Sequence, residues 1–318
     1  MKAAVYSSYG SPDIMMVREV EIPTMKDDER VLIRVHNASI NKFDTLYRRG
    51  YLPTRFENGL TKPKSTILGI DVAGTVEAVG NNVQRFKVGD HVFGSCFGSH
   101  AEYVCPPQNG LIHMPKNVNF EQAAAIPCAA QTALQALRDV AQIKSGQKVL
   151  IYGASGGVGH FAVQLAKYFG AEVTAVCSTP NLQWVKDLGA DYVIDYMKED
   201  FTKNGKKYDI ILDAVAKRTF FSCLGSLTEK GIYITENPIT PIYHPVQLIL
   251  GSLFGQKKAK LHLAKPNVKD LDFLSRLIEE EKLKPVIEMC YPLEQIVEAH
   301  RHVESGRTKG KVILRINS

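Results

Sequence analysis

The sequence predicts an α/β fold: a doubly wound parallel sheet joined to a mainly antiparallel β region. Three observations carry that expectation. Lys148–Tyr152 and Ala171–Cys177 are short β-rich runs. Between them stands Gly-Ala-Ser-Gly-Gly-Val-Gly, residues 153–159, then a helical repeat with Phe161, Val163, Leu165, Ala166 and Phe169 on its apolar face. Residues 1–35, by contrast, follow a β-like alternation broken by turn formers.

Strand, glycine turn, helix and strand make a βαβ unit, the mononucleotide-binding half of a Rossmann domain. In such a turn Gly156 lets the backbone approach a pyrophosphate, and Gly159 lets the helix pack closely on the strand. Ser155, Gly157 and Val158 complete the turn, and Ala154 stands where the Gly-x-Gly-x-x-Gly pattern has its first glycine. Free N–H groups at the helix start then face the anion, helped by the helix dipole. After the second strand come Ser178 and Thr179 rather than an acid. A carboxylate there would bond the ribose hydroxyls of NAD and repel the extra phosphate of NADP. Two hydroxyls can donate to that phosphate, so NADPH is the expected cofactor.

The bulk numbers bound the rest. A chain of 318 residues is long enough for two domains with substantial cores. No apolar run approaches the ~20 residues of a membrane span. The first residues enter a strand-like pattern with no secretory or transit signature, so a cytosolic protein is expected. Net charge is +6, but the lysines are spread along the chain, so no nucleic-acid partner is expected. Of the six cysteines, the closest two, Cys96 and Cys105, lie nine residues apart. That spacing supports neither a zinc ribbon nor a redox pair, and free thiols are expected.

Taken in order, Ala3–Tyr6, Met15–Arg18 and Val31–Val35 read as strands of an antiparallel domain. Asn37–Gly50 reads as a turn into a helix on which Asp44 and Arg48, four apart, can pair. Residues 51–66 read as a loop beside a substrate cleft. Gly69–Gly80 and Val88–Gly94 have the small residues of tight turns and a closely packed barrel.

These segments carry a resemblance. Gly-x-Asp-x-Ala-Gly-x-Val-x-x-Val-Gly at 69–80, Val88-Gly89-Asp90-x-Val92, Ala101-Glu102-Tyr103 and Ala154-Ser155-Gly156-Gly157-Val158-Gly159 occur in the order found in medium-chain dehydrogenase/reductases. The chain resembles their zinc-free quinone oxidoreductase branch over essentially its whole length. The resemblance implies a GroES-like catalytic domain from residues 1–120 and 266–318 and a Rossmann domain from 121–265. Asn41 stands where the zinc alcohol dehydrogenases have a Cys ligand, and Ile70 where they have a His. Ile has no donor atom and a neutral carboxamide is a weak zinc ligand, so no catalytic metal is expected.

The resemblance further implies that Asn41 and Thr132 lie by the nicotinamide side of the cofactor and Tyr196 by the adenosine phosphate, with Lys311 a further candidate there. Asn41 also suits a helix cap, and Thr132 a bond to a helix carbonyl. Tyr47 is a candidate proton donor or quinone-stacking ring. The expected activity is NADPH-dependent, zinc-independent reduction of quinones or α,β-unsaturated carbonyls by direct hydride transfer. An atypical zinc alcohol dehydrogenase, or a non-catalytic NADPH-binding protein with a structural or nucleic-acid-binding role, remains open.

The remaining elements fit this plan. Asn119 and Gln122 form a capping box before the Ala-rich helix at 128–137. Tyr208–Val215 reads as a buried strand, 219–228 as a helix and Gly231–Asn237 as a strand. Ligands of open α/β sheets sit outside the strand carboxyl ends, which puts Val215 and Asn237 at the cofactor. Residues 246–254 read as a helix over the cleft, and Lys260–Ala264 as an edge strand, which in the family joins two subunits into a homodimer. Asp270–Lys282 is an amphipathic helix with Leu271, Leu274, Leu277 and Ile278 inward. Strands at 285–291 and 311–316, with a helix at 293–304 between them, return to the first domain.

Overall fold

The computed structural model describes residues 1–236 and 256–317. They divide into two compact units, Met1–Ala129 with Pro266–Glu281 and Pro285–Ser318, and Ala130–Lys265 with Lys282–Lys284. Strands in chain order are β1 (Lys2–Val5), β2 (Met16–Glu19), β3 (Val31–Ile40), β4 (Asp71–Val79), β5 (His91–Ser95), β6 (Tyr103–Val104), β7 (Leu111–His113), β8 (Lys148–Tyr152), β9 (Glu172–Cys177), β10 (Tyr192–Asp195), β11 (Tyr208–Asp213), β12 (Leu227–Thr235), β13 (Lys258–Leu261), β14 (Ile287–Pro292) and β15 (Lys311–Arg315).

In the first unit β3 is the central element. It pairs antiparallel with β4, β6 and β15, and its alternation buries Val31, Ile33 and Val35 against Val72, Val76 and Leu111. Only β14 and β15 run parallel in this sheet. Register sets Ser39 opposite Asp71 and Ile40 opposite Val312, so the end of β3 and the starts of β4 and β15 meet at one edge of the sheet. That edge holds the polar cluster described below.

Helix α1 (Lys42–Arg49) leaves β3 there, and α2 (Leu52–Asn58) follows it. The loop expected at 51–66 is thus partly helical. Pro53 sits in the first turn of α2, where its missing N–H costs no helical bond. The expected Asp44–Arg48 pair does not form. Both side chains are buried, Asp44 accepts from the N–H groups of Asn41 and Gly69, and Arg48 binds the Gly10 carbonyl and Glu304. A one-turn spacing brings two side chains to one face, but long-range partners here outbid the local one. Helices α3 (Phe120–Ala124), with the expected Asn119–Gln122 box, and α4 (Pro127–Gln135) lead out of the unit's main segment.

The second unit is one six-stranded, wholly parallel sheet ordered β10-β9-β8-β11-β12-β13. Counted from β8, the order is 3-2-1-4-5-6, the doubly wound Rossmann topology with its switch point between β8 and β11. Helix α5 (Gly159–Tyr168) follows β8, and Gly159 to Ala166 are all buried, the polar His160 and Gln164 included, so it is enclosed all round rather than on one stripe. Helices α6 (Leu182–Asp187) and α7 (Phe220–Cys223) are short. The helix expected over 219–228 ends early because β12 already begins at Leu227, leaving one capped turn after Thr219. The expected edge strand is present two residues earlier than its sequence placement, as β13. The expected helix at 246–254 and Asn237 lie outside the described residues.

Back in the first unit, α8 (Val268–Glu279) buries Leu271, Leu274, Leu277 and Ile278 as expected, and α9 (Ile296–Glu304) carries His300. None of the six cysteines is in a disulfide; Cys177 and Cys223 are buried and the other four half-buried.

His300 and His100 are fully buried and meet edge to face, ring centroids 6.0 Å apart. Burial holds both imidazoles neutral, pulling His100 down to about 4. The unfolded chain therefore takes up these protons first, and their contribution to stability falls as pH drops from 6.5 toward 4. For His100 alone that loss is about 3 kcal/mol. We expect side-chain nitrogen NMR to show His100 neutral at pH 5; a midpoint near 6.5 would contradict the burial argument.

Candidate active site

The glycine turn follows β8 at the switch point. Gly153 takes φ +79°, and a Cβ on it would meet Val215 Cγ1 at 2.7 Å, so the turn and the loop after β11 are in close contact. Ala154 is fully buried, and both it and Gly153 donate to the Val176 carbonyl at 3.0 Å. The left-handed residue is thus Gly153, which is why Ala154 is tolerated at the motif's first position. A Cβ on Gly159 would lie 2.1 Å from the Gly153 carbonyl oxygen, so only glycine lets α5 close on β8. At Gly156 the nearest atom is 3.4 Å away, leaving open space over the turn. The N–H groups of Ser155, Gly157, Val158 and Gly159 have no acceptor among the described residues. Half-exposed backbone donors at a helix start, with room above them, fit a pyrophosphate.

The ends of β9 and β10 bring together the residues expected at the adenosine phosphate. Buried Asn181 donates to Ser155 Oγ at 3.2 Å and Ser178 Oγ at 3.0 Å, and accepts from Trp184 Nε1 at 3.0 Å. Asn181 thereby ties the glycine turn to the strand end, a role the sequence reading did not assign. Thr179 donates to Asp195 Oδ2 at 2.5 Å, and that hydrogen bond holds the Asp195 carboxyl below its usual range. The sequence shows no acid after β9, but the fold brings one from β10. Its effect is to occupy the Thr179 proton, so Ser178 keeps the free hydroxyl donor. Tyr196 is 46% exposed and stands beside this end, its N–H on the Cys177 carbonyl.

Thr132 is half-buried on α4, and its backbone hydrogen-bonds the His262 ring. Val215 is held by its N–H on Asp213 Oδ1 at 3.1 Å.

The first unit has its own polar cluster. Lys311 Nζ, 3% exposed, donates to Asn41 Oδ1 at 2.6 Å and lies 3.5 Å from Asp71 Oδ2. Asn41 Nδ2 donates to Asp71 Oδ2 at 2.9 Å, Ser39 Oγ donates to the same oxygen at 2.6 Å, and Cys128 N–H donates to Asp71 Oδ1 at 2.8 Å. Desolvation pushes the Asp44 carboxyl up to about 7. The candidates Asn41 and Lys311 therefore belong together. A buried Lys311 whose ammonium ends on Asn41 and Asp71 is not a free cation for the adenosine phosphate, and that expectation is corrected. Asn41 caps α1 by backbone geometry while its side chain turns into the cluster. Asp71 was legible only as part of a motif, not as its anionic centre.

Tyr47 is also corrected. It is 6% exposed, packs in a core cluster and donates to Glu57; burial and that bond push its phenol well above the usual range. It is a poor proton donor. Its ring lies 4.3 Å from Phe43 and 5.8 Å from Phe97, and Phe97 is 62% exposed. No group of three or more metal-binding side chains occurs among the described residues, nor any helix long and apolar enough to cross a membrane.

The chain matches the family of alcohol dehydrogenase GroES-like domains over residues 27–116 and that of zinc-binding dehydrogenases over residues 188–314. It is 36% identical to a chloroplastic quinone-oxidoreductase homolog of Spinacia oleracea, over 99% of this chain and 98% of that one. It is 32% identical to a chloroplastic NADPH-dependent alkenal/one oxidoreductase of Arabidopsis thaliana, over 99% and 79%. Among solved structures, the quinone oxidoreductase from Coxiella burnetii superposes with a TM-score of 0.89 at 32% identity, covering 100% and 99% of the two chains.

The two glycines separate fold from binding. Gly159→Ala should destabilise the ligand-free protein by about 2 kcal/mol, since backbone must move. Gly156→Ala should melt within a degree or two of the parent yet bind dinucleotide at least about tenfold more weakly. Thermal melts with and without dinucleotide check both; equal behaviour of the two variants would contradict the assignment.

Proposed function

The chain belongs to the medium-chain dehydrogenase/reductase superfamily, in its quinone oxidoreductase-like branch, and on that premise we propose that this oxidoreductase is an NADPH-dependent, zinc-independent reductase of quinones or α,β-unsaturated carbonyls. The observation that carries the reading is the turn at Ser155–Gly159, with four N–H groups lacking acceptors at the switch point of the parallel sheet. Those groups bind the pyrophosphate. Ser178 and Tyr196 bind the adenosine phosphate, and Val215 and Thr132 line the nicotinamide side. By the family resemblance, Asn41 is the residue of the first unit assigned to the nicotinamide ribose.

When bound, the reduced cofactor supplies a hydride to an electron-poor acceptor whose resulting anion is delocalised. An acceptor of that kind needs orientation and exclusion of water more than a Lewis acid. The residues in the zinc-ligand positions favour this route: Asn41 is already engaged with an ammonium 2.6 Å away, and Ile70 offers no donor. A cation on Lys311 repels a second cation there. Within the first unit, the exposed ring of Phe97 beside Tyr47 offers a surface on which a flat ring can stack.

NADPH oxidation in the presence of quinones and enals, before and after chelation, tests the proposal. We expect turnover to be unchanged by chelator, and Ser178→Asp to weaken NADPH about tenfold or more while sparing NADH. Stoichiometric zinc, or tight NADPH binding with no acceptor reduced, would instead favour the alcohol dehydrogenase or the non-catalytic reading.

The edge strand β13, with Leu261 and Leu263 exposed beside it, supports a homodimer. Light scattering should give about twice the 35.3 kDa chain mass; a lone monomer would overturn that pairing.

A further inference from the structure

The carboxyl ends of β12 and β13 hold buried polar groups that the site above does not use. Glu236 follows Thr235, the last residue of β12, and both its carboxyl oxygens are shielded from solvent without a hydrogen-bond partner. On β13's side, His262 Nε2 is likewise buried and unpartnered, while the same ring hydrogen-bonds the Thr132 backbone. An unmatched carboxyl costs several kcal/mol in such a place, so it is expected where a ligand supplies the match.

Register says which part of a ligand. Thr235 lies level with Asp213, and Asp213 with Tyr152. Glu236 is therefore in the same row as Gly153, two strands away, about 10 Å across the sheet edge. A dinucleotide whose pyrophosphate sits on the glycine turn extends its nicotinamide half along that row.

We propose that Glu236 reads the primary carboxamide of the nicotinamide, pairing with it through two hydrogen bonds, and so selects nicotinamide cofactors by their amide. This rests on the dinucleotide reading above. Burial, and then the Asp213 charge, push the Glu236 carboxyl up to about 8, so it is protonated at neutral pH. Its O–H donates to the amide carbonyl, and its own carbonyl accepts one amide N–H. An ionised carboxylate would meet the amide with acceptors only.

The test compares three probes by calorimetry: NADP⁺, its acetylpyridine analogue, in which a methyl replaces the amide nitrogen, and 2′-phospho-ADP-ribose, which lacks the ring. The parent should bind NADP⁺ at least about tenfold tighter than the acetylpyridine analogue. Glu236→Leu should erase that preference. Glu236→Gln, which keeps one donor and one acceptor, should retain it. All three proteins should bind 2′-phospho-ADP-ribose alike. Both variants should melt, ligand-free, no lower than the parent, because an orphaned carboxyl has been removed. A preference that survives Glu236→Leu, or a lowered ligand-free melt for Glu236→Gln, overturns the proposal. Failure of the parent to bind 2′-phospho-ADP-ribose would instead sink the dinucleotide reading itself.

Discussion

The second unit depends on one close approach. Helix α5 starts with its backbone pressed against Gly153, so near that a methyl on Gly159 would sit inside van der Waals contact with a carbonyl oxygen. The N–H groups that any helix start leaves without an intrahelical acceptor are thereby held at the sheet's switch point. The positive φ at Gly153 reverses the strand into the turn, and Val215 fills the space that a Cβ there would take. One steric constraint thus sets the fold of the βαβ unit and the place of its unanswered N–H groups. The glycines are not merely permissive; they define where the donors end up.

The first unit solves a different problem, charge in a dry place. Asp71 and Lys311 are both almost wholly buried, and burying one alone would be costly. Each is matched: Asp71 accepts from Ser39, Asn41 and the Cys128 N–H, and Lys311 donates to Asn41. Asn41 is the hinge of this arrangement, since its amide nitrogen faces the anion and its oxygen the cation. Aspartate in its place would add a second negative charge, and leucine would leave both ions short of a partner. Asn41 therefore has both ends of its side chain engaged within the chain.

Much of this was legible in the sequence where local pattern decides structure. The glycine turn, the capping box at Asn119 and the inward face of α8 follow from spacing alone, because one element determines each. What the sequence hid was set by register and by distant partners. Nothing near Arg48 announces Glu304, and nothing near Thr179 announces Asp195, which arrives only because β10 lies beside β9. Lys311 illustrates the same limit. By sequence it opened an expected strand and stood as a candidate for the adenosine phosphate, and β15 pairing with β3 carries it into the core instead. Proline at 53 misled in the opposite sense, since a helix start accepts the residue that a helix interior rejects.

The contrast between two acids at neighbouring strand ends bears on Glu236. Asp213 closes β11, and burial raises its carboxyl, yet it is fully answered: the N–H groups of Val215, Ala216 and Arg218 and the Tyr233 hydroxyl all donate to it. That acid builds the loop after β11. Glu236, one strand over and one residue further on, is half-buried as a residue, but its carboxyl oxygens are shielded from solvent and have none of those donors. A fold that satisfies one buried carboxyl so completely could satisfy the next by the same means, with a turn of free N–H groups behind it. It leaves the Glu236 carboxyl without a donor at the carboxyl end of the sheet. The difference is explained if the missing partner is an amide that comes and goes with the cofactor, since a carboxyl already bonded by the chain would have nothing left with which to recognise one.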